Sequence, residues 1–489
     1  MAMVGVPTPA RAATATDNQA APPGSDRLNE PAVAVDPRDP QRVVTAANDL
    51  DTGPVGVYTS LDGANTFWRA SLLPLLDGTH TEADPGLAFD RLGRAYASYV
   101  SYDRTSQSNF DFSRGGLAVA RSDDGGLSWP SAVLAIPNHN DSSGCFFADF
   151  PSIDVARGAS GQAADTVYVA WQSPGASGAD CSQLSTNGSR IGVARSDDGG
   201  RTWHALPFPP PSAGISPYLP VVYAGADGSV HVAYDETHDA DDPTACFGQG
   251  HVHVMVASST DGGQTWITSE AHSGSCYGVE TDPQPPVGVG LASLNGALYR
   301  LPASTNVVKD PRTGVLVSVA GDGDSTGGWV VDVASSMDSR HWTRGAVPAR
   351  TPGEMQEFPR LAVAPDGTLS LLAAPDTRRD RPVCGAEVGS PGPWAHRGGD
   401  DDVLRRPAPA PRRRRLRFVE TREGAGQHPE VVSQRPAEGP GHGREPRECP
   451  RGRVRLLQGT GDGSMAVFPS GADTVGTNLD LPGEGEVEE

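Results

Sequence analysis

The sequence predicts an all-β chain wound into a six-bladed β-propeller, on three observations. One turn motif recurs five times. An opening that places Pro just after acidic or aromatic residues recurs six times. Helical periodicity is nearly absent, while 59 Gly and 44 Pro punctuate the 489 residues at strand spacing.

The turn motif reads Ser-x-Asp-x-Gly-x-Thr/Ser-aromatic. Its copies run from Ser60 to Phe67, Ser122 to Trp129, Ser196 to Trp203 and Ser259 to Trp266, with a shortened fifth from Ser336 to Trp342. The carboxylates are Asp62, Asp124, Asp198, Asp261 and Asp338, which with the Ser hydroxyls can bond the turn backbone. Gly126, Gly200 and Gly263 supply a positive φ without a Cβ clash. Trp129, Trp203 and Trp266 each bring a large apolar ring to the start of the next strand.

The six openings centre on Pro31, Pro85, Pro151, Pro220, Pro302 and Pro359. Apolar strands follow, such as Arg94 to Val100, Thr166 to Trp171, Ser229 to Tyr234 and Gly314 to Val319. A variable loop then leads to a third strand, exemplified by Ile191 to Arg195, which runs into the turn motif. Two strands, a loop, a third strand, the motif and a fourth strand make one four-stranded unit. Openings about 54 to 82 residues apart suit a propeller of such units better than a solenoid.

Residues 28–379 form this propeller in the sequence reading, preceded by an export-signal remnant or disordered tail over 1–27. Residues 380–489 lose strand alternation, hold no Tyr, and include the run Arg412 to Arg415. Their low-complexity composition fits a disordered tail or a frameshifted product. A frameshift would leave the last blade incomplete. Net charge is −21, and Lys309 is the only lysine, which argues against nucleic acid as partner. No run reaches the roughly 18 to 20 apolar residues of a membrane span. In a four-stranded meander, the inter-blade link and the middle loop emerge on one face. That places Cys145 with Cys181 and Cys246 with Cys276 as disulfides, and the chain in an oxidising compartment, secreted or at the cell surface. The acidic loops Asp235 to Asp242 and Gly321 to Ser325 miss the EF-hand pattern. No metal or cofactor is expected, and a monomer is.

The turn motif is the Asp-box, and over residues 28 to 375 the chain resembles the sialidase (neuraminidase) superfamily of β-propellers. The resemblance implies that the boxes are structural and that a glycan or glycoconjugate binds on the opposite face. It also implies a retaining exo-α-sialidase chemistry, with a Tyr nucleophile, its Glu, an Asp acid/base and three Arg that clamp a carboxylate. The family's early Arg-Ile-Pro-like string reads Asn29-Glu30-Pro31 here, without Arg, and the similar string with Arg is Tyr299-Arg300-Leu301-Pro302. Candidate catalytic residues are therefore Arg300, Glu357, Asp84, Tyr277 and Glu280. Candidate substrate-binding residues are Arg360, Glu30 and Asp149. Two functions stand side by side: an exported sialidase-like glycoside hydrolase, or a non-catalytic propeller that binds glycans or proteins with the same rim.

Overall fold

A computed structural model describes residues 17–20, 28–49, 55–106, 109–141, 144–157, 165–177, 183–212, 215–238, 251–275, 291–294, 297–300, 306–323, 329–347, 355–364, 367, 369–376, 416–418, 453–458 and 465–470. Among these residues the regular structure is all β, and no helix is long and apolar enough to cross a membrane.

Five sheets are four-stranded antiparallel meanders whose strands pair in chain order. Sheet one comprises Leu28–Asp36, Asp39–Asp49, Val55–Ser60 and Trp68–Leu72. Sheet two comprises Thr81–Phe89, Ala95–Ser106, Asn109–Ser122 and Ala132–Pro137. Sheet three comprises Asp149–Ala156, Thr166–Ser177, Gln183–Ser196 and His204–Leu206. Sheet four comprises Ile215–Ala224, Val230–His238, His251–Ser259 and Ile267–Ser275. Sheet five comprises Asn306–Lys309, Leu316–Gly323, Trp329–Ser336 and Thr343–Val347. Sheet six holds Met355–Val363 and Leu369–Asp376, with Leu416–Phe418 added in parallel.

The apolar clusters lie between sheets. Val44, Ala46 and Val57 of sheet one meet Phe89, Ala97, Tyr99 and Ala118 of sheet two. Tyr96 and Leu117 then meet Ile153, Val167 and Val169 of sheet three. Tyr168 and Val193 meet Val222, Val232 and Tyr234 of sheet four. Ala233 and Val256 meet Leu316 and Ala334 of sheet five, whose Val317 and Val331 meet Leu361 and Leu371 of sheet six. Sheets two to five therefore bury both faces against their sequence neighbours, which is why their inner strands carry near-continuous Val, Ala and Tyr. A further three-stranded sheet joins Asp17–Gln19, Arg453–Gln458 and Met465–Ser470. Met465–Ser470 lies against the first strands of both sheet one and sheet six.

All five turn motifs join third to fourth strands, and their geometry repeats. In the third copy the Ser196 hydroxyl donates to Asp198 Oδ1 at 2.8 Å and accepts the Gly200 N–H at 2.9 Å. Asp198 Oδ1 also accepts the Arg201 and Thr202 N–H groups at 2.9 and 3.0 Å, while Oδ2 takes the Thr202 hydroxyl at 2.6 Å. The consecutive pairs Gly125-Gly126, Gly199-Gly200 and Gly262-Gly263 all have positive φ, and in the first copy Gly63 and Ala64 do the same, so the full-length motif takes two left-handed residues in a row. At Gly126 a Cβ would also come within 2.3 Å of Val44 in sheet one. In the shortened copy Ser339 takes the left-handed place at φ 59°, and His341 Nδ1 lies 2.7 Å from Asp338 Oδ2 where the others use Ser or Thr.

The box also ties sheets together. Arg42, Arg121 and Arg195 each reach from one sheet to a box carbonyl of the next, at Asp124 (2.8 Å), Gly199 (3.0 Å) and Gly262 (3.2 Å). Partial burial opposes ionisation of Asp198, but its bonds to Thr202, Ser196 and Arg201 outweigh that and hold the carboxyl below the ordinary carboxylate range. Asp198→Ala is expected to cost about 1–2 kcal/mol in urea unfolding. The exposed neighbour Asp197, ion-paired to Arg195, should cost under about 1 kcal/mol on the same change. Equal losses would contradict a carboxylate-centred turn.

Candidate functional site

The opening strands of sheets one to four and of sheet six each carry a Pro. Pro offers no N–H to a ladder, so inside a strand it belongs at an edge or a bulge. Here it does both, because each opening strand is the edge strand of its sheet. The pairing register breaks between Asn29 and Ala32, Ala83 and Gly86, Asp149 and Ser152, Tyr218 and Val221, and Glu357 and Arg360. Every break brackets an x-Pro pair. In sheets one to four the residue before Pro is left-handed: Glu30 (φ 50°), Asp84 (φ 58°), Phe150 (φ 44°) and Leu219 (φ 52°). None is glycine, and such backbone costs on the order of 1–3 kcal/mol per residue.

The bulges are held from the neighbouring sheet. Asn48 Oδ1 of sheet one accepts the Asp84 N–H at 2.8 Å, and its Nδ2 donates to Glu30 Oε2 at 2.7 Å. Asp84 Oδ2 accepts the Phe150 N–H at 3.4 Å. Gln172 Oε1 of sheet three accepts the Leu219 N–H at 3.2 Å. Asn48, Gln172 and Asp235 share one register position, opposite the last residue before the bulge.

Three of the sequence candidates meet here. Asp84 is 9 % exposed, hydrogen-bonded with the Glu30 carboxyl and flanked by Asp149. Burial is the main force pushing its carboxyl up to about 6, the Asp149 charge adds to it, and the Glu30 and Asn48 bonds offset part. Sequence reading missed Glu82, two residues earlier, whose Oε2 accepts the Val55 N–H at 3.1 Å. Its Oε1 is buried without a hydrogen-bond partner, and burial pushes this carboxyl up to about 7. Two acids titrating near neutrality, on one strand end, make this the place where the molecule can hold and release protons.

The remaining candidates lie elsewhere. Glu357 is the last residue before the bulge of sheet six, the register equivalent of Asp149. Arg360 follows that bulge, half-buried, and donates to the Pro359 carbonyl at 3.2 Å. Arg300 does not open sheet five. It ends Ala297–Arg300, paired with Leu291–Leu294 in a separate hairpin, and Asn295-Gly296 between these strands is a strong hairpin signal. Tyr277 and Glu280 lie outside the described residues, as do Cys181, Cys246 and Cys276; Cys145 is in the short strand Gly144–Phe146. Among the described residues no group of three or more His, Cys, Asp or Glu is arranged to hold a metal ion.

No family model matches the chain. It is similar to a xyloglucanase of Paenibacillus sp, 29 % identical over 283 residues, covering 54 % of this chain and 24 % of that protein. A xyloglucanase of Acetivibrio thermocellus is 27 % identical over 287 residues, covering 54 % of this chain and 29 % of that protein. The matched stretch thus spans a quarter to under a third of these relatives. Among solved structures, the Penicillium chrysogenum α-L-arabinanase complexed with arabinobiose has a TM-score of 0.43 at 16 % identity, over 73 % of this chain and 92 % of that one. Trypanosoma rangeli sialidase in complex with sialic acid has a TM-score of 0.41 at 15 % identity, over 72 % and 52 %.

Asp84 has a sign-definite consequence. Its folded-state pKa is raised, so its stabilising contribution is complete below the unfolded value near 3.8 and is lost as pH rises through about 6. Between pH 4 and pH 8 the wild type should lose about 3 kcal/mol relative to Asp84→Asn, as read by paired urea melts. A difference that does not vary with pH would refute the buried acid.

Proposed function

We propose that the chain is a six-bladed propeller of the sialidase-type superfamily working as a glycoside hydrolase on a neutral glycan. The supporting observation is the carboxyl cluster of Glu30, Asp84 and Asp149, with Asp84 raised to about 6. In this reading protonated Asp84 gives its proton to the glycosidic oxygen as the bond to the anomeric carbon breaks. Water adds to that carbon and gives up its proton to solvent, since Asp149 is hydrogen-bonded to Asp84 and lies too close to it to act from the opposite face of the sugar. Glu30 and Asn48 hold Asp84 in place from sheet one. The xyloglucanase relatives support a carbohydrate substrate. The packing of each sheet on the next, and the position of Met465–Ser470 between the first strands of sheets six and one, support a closed ring.

An exo-α-sialidase is the competing form of the hydrolase reading. It requires three Arg around a substrate carboxylate, whereas Glu30 and Asp84 stand in the bulges of sheets one and two and Asp149 just before that of sheet three. A negatively charged sugar would meet like charge there, so the geometry favours an uncharged one. A binding-only propeller is the second reading, favoured by the slight exposure of Asp84 and its engagement with Phe150. Export, with Cys145–Cys181 and Cys246–Cys276 disulfides, is part of the same proposal.

Reducing-sugar release from xyloglucan, arabinan and an aryl sialoside decides among the three. The hydrolase reading expects turnover of a neutral polymer that falls as pH rises through about 6, and loss of more than about 100-fold in kcat for Asp84→Asn. Turnover of the sialoside that drops in Arg300→Ala would restore the sialidase. Tight glycan binding with no turnover of any substrate would make the chain a binder.

A further inference from the structure

The bulge backbone is shared by sheets one to four, but the side chain it presents is not. Glu30 and Asp84 give carboxylates; Phe150 and Leu219, at the same structural position in sheets three and four, give apolar groups. Left-handed φ is unfavourable for a bulky aromatic, and Gly or Asn would serve the backbone better. Phe150 is only partly buried and is not among the residues of the apolar clusters between the sheets. Its sequence neighbours differ: Phe147 is 1 % exposed and packs edge-on to Tyr102, with centroids 6.0 Å apart, and Phe146 does the same on Trp171 at 6.5 Å. Phe150 is also fixed to the acid, since Asp84 Oδ2 accepts its N–H, and Asp149 precedes it in the chain.

We propose that Phe150 is a sugar-stacking platform beside Asp84, binding the C–H face of an uncharged pyranose ring. A pyranose offers an apolar face and a rim of hydroxyls. A partly exposed aromatic ring next to clustered carboxylates is complementary to both, and a ring anchored through its own backbone loses little entropy on binding. Leu219, held by Gln172, continues the apolar side of the rim. The inference rests on the glycan reading of the preceding subsection and adds the residue that recognises the ring.

The test uses the full chain carrying Asp84→Asn, titrated calorimetrically with xyloglucan heptasaccharide and with cellotetraose, both built of pyranose rings. Phe150→Ala in that background should weaken the better ligand at least tenfold, and Phe150→Trp should stay within about threefold of the parent. Phe150→Gly, which keeps the positive φ without strain, should match Phe150→Ala and guards against a folding defect. Unchanged affinity in Phe150→Ala and Phe150→Gly overturns the platform. Such a result leaves the hydrolase standing if Asp84→Asn alone abolishes turnover. Conversely, a wild type without turnover whose affinity still falls on Phe150→Ala keeps the platform and removes the hydrolase. Binding of neither sugar by any variant overturns both.

Discussion

Sheets two, three and four each depend on a hydrogen bond that they do not make for themselves. The proline in the first strand of each breaks the edge ladder and forces a bulge, leaving a backbone N–H that turns away from its own sheet. The preceding sheet supplies the acceptor, from Asn48 to Asp84, from Asp84 to Phe150 and from Gln172 to Leu219. At the opposite end the same direction is kept, where Arg42, Arg121 and Arg195 grip the next sheet's box. Side-chain bonds at both rims and apolar contacts between them therefore fix the sheet-to-sheet geometry, which burial alone would leave free to slide.

The same arrangement generates the chemistry. Holding the bulge of sheet three with Asp84 places a carboxyl where water cannot solvate it, close to Asp149 and Glu30. Folding tolerates this because the protonated acid satisfies its neighbours. A group held for structural reasons thereby has its carboxyl raised to about 6, as the proposed proton donor requires. His231 shows the opposite sign of the same physics: burial between Ser229 and Ser258 pushes its imidazole down to about 3, so it remains an uncharged structural link. Lys309, beside it, joins Asp227 and Ser229 across the seam of sheets four and five.

Local features were legible in the sequence. The Asp-box is a self-contained network of one carboxylate, two hydroxyls and two left-handed residues, so its spelling and its structure coincide. The x-Pro openings marked the first strands of sheets one to four and of sheet six, and drew attention to Glu30, Asp84 and Asp149. The bulge was not legible, because a positive φ at Glu30, Asp84, Phe150 or Leu219 has no glycine to announce it. Glu82 and Phe150 were missed because their significance comes from the packing of a neighbouring sheet and from exposure, which no single strand encodes. Arg300 was misplaced where a Pro302 resembling an opening outweighed the Asn295-Gly296 hairpin signal just before it. The alternation of acidic and aromatic residues before Pro, Glu30 and Asp84 against Phe150, was the available clue.

Amide hydrogen exchange at the bulges tests the inter-sheet bond most directly. The Asp84, Phe150 and Leu219 amides should exchange more than about tenfold slower than unprotected amides. Asn48→Ala should release the Asp84 amide and leave Leu219 slow. Exchange of all three at unprotected rates, or an Asp84 amide indifferent to Asn48, would contradict a structure joined sheet to sheet in this way.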